Sequence, residues 1–489
     1  MSIINLLNPQ TLDLDAFIKA NPFIPGQRLK KDSLVFIIHS LIVRGASIDD
    51  EHLEKLGKRE YFIPLNAEVL KSKISYYHNH LEYLKKVGII ECDESYIAGT
   101  ISKGYRLASP YRGVDFKKVA ITDFTLVRKI KADNPFSNSN RAFKEFPYLA
   151  KWFAAKKLQI DEVAAYDWIN NYEAAEISKL NNNTMSSPKR YKEKIKLNEK
   201  CKNFKILVNR IVEHDYFFKV DNTGNRLHTN LTNLPKGLRE FVTYDKKPLV
   251  SIDIKNSQPY MSTAILNKEF WQSRELPQKP TLKRLDNKLY SNIRENKRRF
   301  NSIIMFLHSS ETLYRTDLQI VKFIKSVANG TFYEELITLF DRHKVFKVGM
   351  TNEEKRNKAK SLVFTLFFDD PNKIYNRNVN SIYNVFKHNF PVVTKVFEFV
   401  KTNNYRNLAI ILQKIESYLL LNRVCSVISR ENPDIPLFTI HDSIITTLGN
   451  EQYVQSVLES ELIKGLGFPP KLSIESWESR EIKKSVGVI

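Results

Sequence analysis

Two short apolar runs that lie far apart in the chain each lead to a lone aspartate. Leu249-Val250-Ser251-Ile252 precedes Asp253, and Leu437-Phe438-Thr439-Ile440 precedes His441-Asp442. Both runs are β-prone, so each carboxylate is expected at the end of a strand, where it emerges from a packed sheet into a cleft. Ile444-Ile445-Thr446-Thr447 reads as the return strand of a hairpin with His441-Asp442 in its tight turn. Two carboxylates delivered in this way can hold two divalent cations about 4 Å apart, one activating an attacking hydroxyl and one neutralising a leaving pyrophosphate.

Between them stands a block of different geometry, Arg356-x3-Lys360-x3-Phe364-x3-Phe368. Residues four apart on a helix share one slowly winding stripe, so this block presents cation, cation, aromatic, aromatic along about 18 Å. The order suits a nucleoside triphosphate lying along the helix, with charge on the phosphates and rings against sugar and base. The plain alternative is an amphipathic helix whose aromatics face a core.

The 489 residues exceed one ordinary core. Lysine and arginine number 76 against 54 acidic residues, a formal charge of +22 that favours a polyanionic partner, nucleic acid first. Cys92, Cys201 and Cys425 match neither a disulfide framework nor a zinc spacing, which fits a reducing compartment. The first residues lack a cationic region followed by an apolar stretch, and no run of about 18 apolar residues occurs, so a cytoplasmic protein without membrane segments is expected.

Residues 33–43 and 66–87 carry helical periodicity, Gly88 reads as a helix stop, and two β-like runs follow at 89–92 and 96–101. Helices ending in a small hairpin resemble a winged helix, with Lys73, Tyr76, Tyr77 and His78 on or near the candidate recognition helix. Protein docking and DNA binding are both open to such a module. Residues 140–220 read as helical, interrupted by a loop at 181–188. Residues 188–205 then hold eight basic residues against two glutamates, and 283–299 hold seven against two acidic ones. Such runs are solvated faces or phosphate tracks. Residues 454–463 read as an amphipathic helix and 471–477 as a last strand.

These blocks resemble, in order, the signature motifs of family A DNA polymerases and the related single-subunit phage-type RNA polymerases. Asp253 with its apolar strand is similar to the first motif. Arg356-x3-Lys360-x3-Phe364-x3-Phe368 is similar to the second, on the fingers helix that grips the incoming nucleotide. His441-Asp442-Ser443 is similar to the third, in the form usual among the RNA polymerases. Gly224 to Pro235 and Gln413-x2-Glu416-Ser417 resemble two further segments of the DNA polymerases, one around a primer-contacting arginine and one around a glutamine that touches template and primer. Each match alone carries little; five in order over 225–447 carry the resemblance.

The resemblance implies a right-hand palm, fingers and thumb with two Mg²⁺ ions, for which Mn²⁺ can substitute, held by Asp253, Asp442 and the Ile254 carbonyl. It implies that Arg356 and Lys360 hold the triphosphate, that Lys360 protonates the pyrophosphate, and that Phe364 and Phe368 pack on sugar and nascent base pair. Arg226, Gln413 and His441 are implied at the primer terminus and its minor groove. Two departures bear on substrate. Gln258 stands where the DNA polymerases usually carry glutamate and the RNA polymerases glycine, which keeps bulk against a 2′-hydroxyl, and Phe368 lacks the hydroxyl of the usual tyrosine. Both lean towards dNTPs, against the hint from Ser443. Asp369-Asp370-Pro371 replaces the expected end of the fingers helix.

The expected fold class is α+β, organised as a winged-helix-like domain at 1–115, a helical linker and thumb-like region with a basic loop at 116–220, and an α+β palm with helical fingers at 221–489. No proofreading pattern precedes Arg226. The expected activity is primer extension with dNTPs on a nucleic-acid template, most simply DNA, in the replication of a phage, plasmid or other mobile element. The alternatives are a primer-making or phage-type RNA polymerase, a template-independent terminal transferase, and an inactive replication-initiation or regulatory DNA-binding protein.

Overall fold

In the computed structural model, residues 3–46, 62–94, 103–272, 278–295, 300–302, 304–307, 318–370, 380–402 and 404–478 are described. The fold is mixed α/β. The chain divides into two compact units: one of Met1–Ser137, Gln159–Phe217 and Asn233–Val242, the other of Asn138–Leu158, Phe218–Thr232 and Thr243–Ile489.

In the first unit the apolar face of the Lys31–Ala46 helix buries Leu34, Val35, Ile37, Ile38 and Leu41. Strand Ile4–Pro9 pairs antiparallel with Phe116–Ile121, Ile4 facing Ile121. Gly104–Leu107 lies between Ile63–Pro64 and Ile90–Cys92 in a small three-stranded sheet. The expected single helix over 66–87 is two, Ala67–Lys73 and Tyr77–Lys86. Ile74 leaves the helix in extended geometry to enter the core, and Tyr76 takes a left-handed backbone with φ 56°. The break redirects Lys73 as well. Its ammonium is buried against Asp133 at 2.6 Å and donates to the Lys129 carbonyl, so it does not lie on an exposed recognition face. Tyr76 and His78 are exposed, and Arg28 stacks on the Tyr76 ring. The β-like run at 96–101 lies outside the described residues.

Two long helices, Glu162–Asn181 and Ser187–Val212, follow in the same unit, and the loop between them starts one residue later than expected and ends before Ser187, because Pro188 fits the first helical turn. The basic residues of 188–205 lie on the second helix. Trp168 stacks on Tyr172 at 5.3 Å, and a side chain at Gly237 would collide with the Trp168 ring, so glycine is what lets the 3₁₀ turn Lys236–Phe241 lie against it.

The second unit is built on the strand Lys247–Ile254. It pairs antiparallel with Ser443–Thr447 on one edge and Leu472–Ser476 on the other, and Phe438–Ile440 extends the sheet beyond Ser443–Thr447. Residues 243–244 fold back onto Lys247 and Pro248 through Asp245 and Lys246, both with positive φ, as a two-residue hairpin of matching twist requires. Leu249, Val250, Ile252, Ile444 and Ile445 are buried, and Phe438 packs edge-on against Phe153 at 5.2 Å and Tyr244 at 5.4 Å. The helices Leu318–Ala328, Phe332–Arg342, Asn352–Phe368, Asn380–Asn389 and Pro391–Lys401 share an aromatic core in which Phe323 meets Phe332 and Phe390, and Phe367 meets Phe397 at 4.8 Å. Residues 454–463 lie within the helix Glu451–Leu466. Part of the second basic run, 296–299, and the segment 371–379 lie outside the described residues. Among the described residues no helix is long and apolar enough to cross a membrane.

Candidate active site

Asp253 is the penultimate residue of its strand and stands opposite Ser443 in the register, while Ile440 and Ser443 close a hairpin around His441 and Asp442. His441 has φ 50°, the left-handed conformation that lets a two-residue turn project its next side chain. The turn therefore delivers Asp442 beside the end of the Asp253 strand. Ser443 donates its hydroxyl to one Asp253 oxygen and Ser251 donates to the other at 3.2 Å. Ser443 thus acts on the neighbouring strand's carboxylate. Burial, then the charge of Glu416, pushes the Asp442 carboxyl up to about 7; Asp253 adds to the rise, and a backbone N–H and Arg226 oppose it. The hairpin turn holds a carboxylate whose charge is incompletely compensated.

The Asn352–Phe368 helix opens with a reciprocal cap: Glu354 N–H donates to the Thr351 hydroxyl and Thr351 N–H to the Glu354 carboxylate at 2.8 Å. Arg356, Lys360, Phe364 and Phe368 follow on one stripe. Arg356 is ion-paired with Glu334 on the helix Phe332–Arg342, Lys360 is exposed, and Phe364 is 55% exposed with its ring 5.4 Å from that of Phe368. At that exposure Phe364 is not part of the packed core. The core role falls instead to Phe367, one position off the stripe. The helix ends at Phe368, and the buried Lys401 ammonium donates to the Leu366 carbonyl at 2.7 Å and the Asp369 carbonyl at 3.0 Å. Burial lowers the Lys401 pKa to about 8, with Asp369 and Asp370 opposing. A lysine from another helix therefore caps the end that Asp369-Asp370 had put in question.

Arg226, Gln258 and Glu416 form a second cluster. Glu416 is 2% exposed. One of its oxygens accepts from Arg226 Nε at 3.0 Å and Nη2 at 2.6 Å; the other accepts from Ser257 Oγ at 3.0 Å and Gln258 Nε2 at 2.5 Å. Arg226 is presented by a turn organised on Asp221, which accepts from the N–H groups of Thr223, Gly224 and Arg226. Burial opposes it, yet the His228 ring and these N–H groups hold the Asp221 carboxyl well below the usual range. Gly224 passes so close to Gln413 that an added Cβ would stand 2.6 Å from its side-chain oxygen, and Ser417 donates to the Gly224 carbonyl. After Ser417 the helix loosens into π-type hydrogen bonding over Tyr418–Cys425, and Tyr148 donates its hydroxyl to the Leu421 carbonyl at 2.7 Å.

Ile254, Gln258, Arg356, Lys360, Phe364, Phe368 and Asp442 all line one cleft of about 480 Å³. Asp253 adjoins it through the Ser443 bond and its chain neighbour Ile254. Arg226 does not line it but acts on Asp442 through its charge and is tied to Gln258 through Glu416; Gln413 packs against Gly224, and His441 is exposed on the hairpin turn. Glu334 and Tyr333 also line the cleft and were not singled out from sequence, nor was any role for Glu416; a partner 190 positions from Arg226 leaves no local pattern to read. Among the described residues no group of three or more His, Cys, Asp or Glu side chains is placed to hold a metal ion.

No known protein family and no curated protein matches the chain in sequence. Among solved structures, the chain is similar to the POL domain of Pol1 from M. smegmatis, solved in complex with DNA primer-template and dNTP. The TM-score is 0.42 with 9% sequence identity, over 72% of this chain and 73% of that one.

Proposed function

We propose that the chain is a template-directed nucleotidyltransferase that adds deoxynucleotides to a primer 3′ end. The observation that carries this reading is a single cleft lined by two cations, an exposed Phe364 and a half-buried Phe368 on one helix, and by a half-buried, under-compensated carboxylate on a hairpin turn. On this reading the sheet of the second unit is the palm and the helices from 318 to 401 are the fingers. The pair Glu162–Asn181 and Ser187–Val212 is thumb-like, and residues 31–107 are a winged-helix-like module.

Asp253, Asp442 and the Ile254 carbonyl offer hard oxygen donors, and the raised Asp442 pKa marks unmet negative charge, so this set fits Mg²⁺ or Mn²⁺. Two such ions, when bound, would activate the primer hydroxyl and neutralise the leaving pyrophosphate. Ser443 and Ser251 fix the orientation of Asp253. Lys360 and Arg356 bind the polyphosphate, and Lys360 supplies a proton to the departing oxygen. Phe364 and Phe368 offer ring faces to sugar and base. Gln258 places its bulk beside the sugar.

Arg356 must leave Glu334 to take a phosphate. Glu334→Ala is therefore expected to tighten nucleotide binding about twofold to fivefold, the worth of a half-exposed ion pair, read as a lower nucleotide Kd with unchanged melting. Unchanged or weaker binding removes Arg356 from the phosphate site. The function itself is tested with a 5′-labelled primer annealed to a DNA template in Mg²⁺ or Mn²⁺. Stepwise lengthening with dNTPs, faster than with rNTPs, is expected. No lengthening contradicts the activity, and faster addition of rNTPs contradicts the deoxynucleotide preference.

A further inference from the structure

Glu416 is saturated. Its two oxygens accept four hydrogen bonds, two from Arg226, one from Ser257 and one from Gln258, which fills the acceptor sites of a carboxylate and leaves none for a metal ion or substrate. The carboxylate can only accept from the Gln258 amide, so the amide nitrogen faces Glu416 and the orientation of the side chain is set. The cost appears on the other atom. Gln258 Oε1 is buried and has no hydrogen-bond partner among the described residues. The pose is therefore fixed by the bond from Nε2 to Glu416, and it is held although Oε1 goes without a partner among the described residues. The pose matters because Gln258 lines the cleft and Glu416 does not.

We propose that Glu416 is a positioning residue for sugar selectivity: by pinning the Gln258 amide it holds a rigid wall where the sugar of the bound nucleotide lies, and without it the wall swings and the 2′-hydroxyl is no longer excluded. This rests on the reading of the cleft as a nucleotide site with its sugar against Gln258. It has a counter-intuitive consequence. Gln258→Glu keeps the side chain's length and bulk, yet it loses the amide donor and sets a second negative charge against Glu416, so the wall is expelled and selectivity falls. Bulk without the lock is not sufficient.

The experiment measures equilibrium binding of dATP and ATP to the full chain, without primer or template, in wild type and in Glu416→Gln, Gln258→Glu, Gln258→Ala and the double variant Glu416→Gln/Gln258→Ala. The ratio of the two affinities within each protein is insensitive to a uniform loss of folded protein. The wild type is expected to prefer dATP, and the preference is expected to fall about tenfold in Glu416→Gln and in Gln258→Glu, the worth of one hydrogen bond to a charged group. In the Gln258→Ala background Glu416→Gln is expected to change the ratio no further. A ratio unchanged in Glu416→Gln and Gln258→Glu overturns the proposal and leaves the nucleotidyltransferase reading standing. Equal binding of both nucleotides by the wild type overturns the proposal and the deoxynucleotide preference. No binding of either overturns it together with the reading on which it rests.

Discussion

Asp442→Asn is expected to abolish primer extension, by at least about 10³-fold, and at the same time to raise the melting temperature at pH 8. Activity and stability are set against each other at this position because the half-buried carboxylate is partly desolvated and feels the negative charges of Glu416 and Asp253. Its folded pKa is raised from 3.8 to about 7, so the proton is held more tightly in the folded state. Above pH 7 the side chain is ionised in both states and the full penalty opposes folding. Between pH 7 and about 4 the penalty shrinks as the folded state keeps its proton, and below that it is gone. The rise, at about 1.36 kcal/mol per pH unit, caps the gain from asparagine near 4 kcal/mol. The difference in melting temperature should therefore be largest at pH 8 in chelator, shrink towards pH 5, and reverse in millimolar Mg²⁺, which stabilises only the wild type. A variant that melts lower at pH 8 in chelator, or that still extends a primer, contradicts this account of the turn.

Lys360→Ala is expected to lower kcat/KM for nucleotide addition about 10²-fold to 10³-fold, the usual cost of removing one preorganised charge from a transferring phosphoryl group. Its effect on stability should stay within about 0.5 kcal/mol, since the side chain is exposed on a well-capped helix. Arg356→Ala provides the contrast. Arg356 is shared with Glu334, so part of its binding energy is already committed and a smaller loss, about tenfold, is expected. Single-turnover titrations with one dNTP separate binding from the chemical step for both variants. Equal, small effects on KM alone would make Lys360 a general electrostatic attractor without a part in the transfer step.

The elements that carry Asp253 and Asp442 were legible because each is local. An apolar run of four residues is enough to announce a strand, and a two-residue gap before a second run is enough to announce the hairpin. The stripe on Asn352–Phe368 was legible for the same reason, since four-residue spacing is a property of one helix. The aromatic at Phe367 shows the limit: it sits next to the stripe in sequence, yet it is the residue that the core takes, and nothing in the local pattern distinguishes it from Phe364. Long-range electrostatics were not legible at all. Glu416 joins Arg226 to Gln258 from a different helix, Lys401 caps a helix that ends at Phe368, and Glu334 claims Arg356. Each depends on a partner whose approach is fixed only by tertiary packing. The helix break at Ile74 has the same cause, a core position that outweighs local periodicity.

Single-nucleotide incorporation tests the central claim most directly. Four DNA templates that differ only in the base opposite the first added position are each offered the four dNTPs separately, with Mg²⁺, to the wild type and to Asp442→Asn. The wild type is expected to add only the complementary nucleotide in each case, and the variant to add none. Addition that ignores the template base, addition that survives in Asp442→Asn, or none by the wild type would contradict a template-directed transferase centred on Asp442.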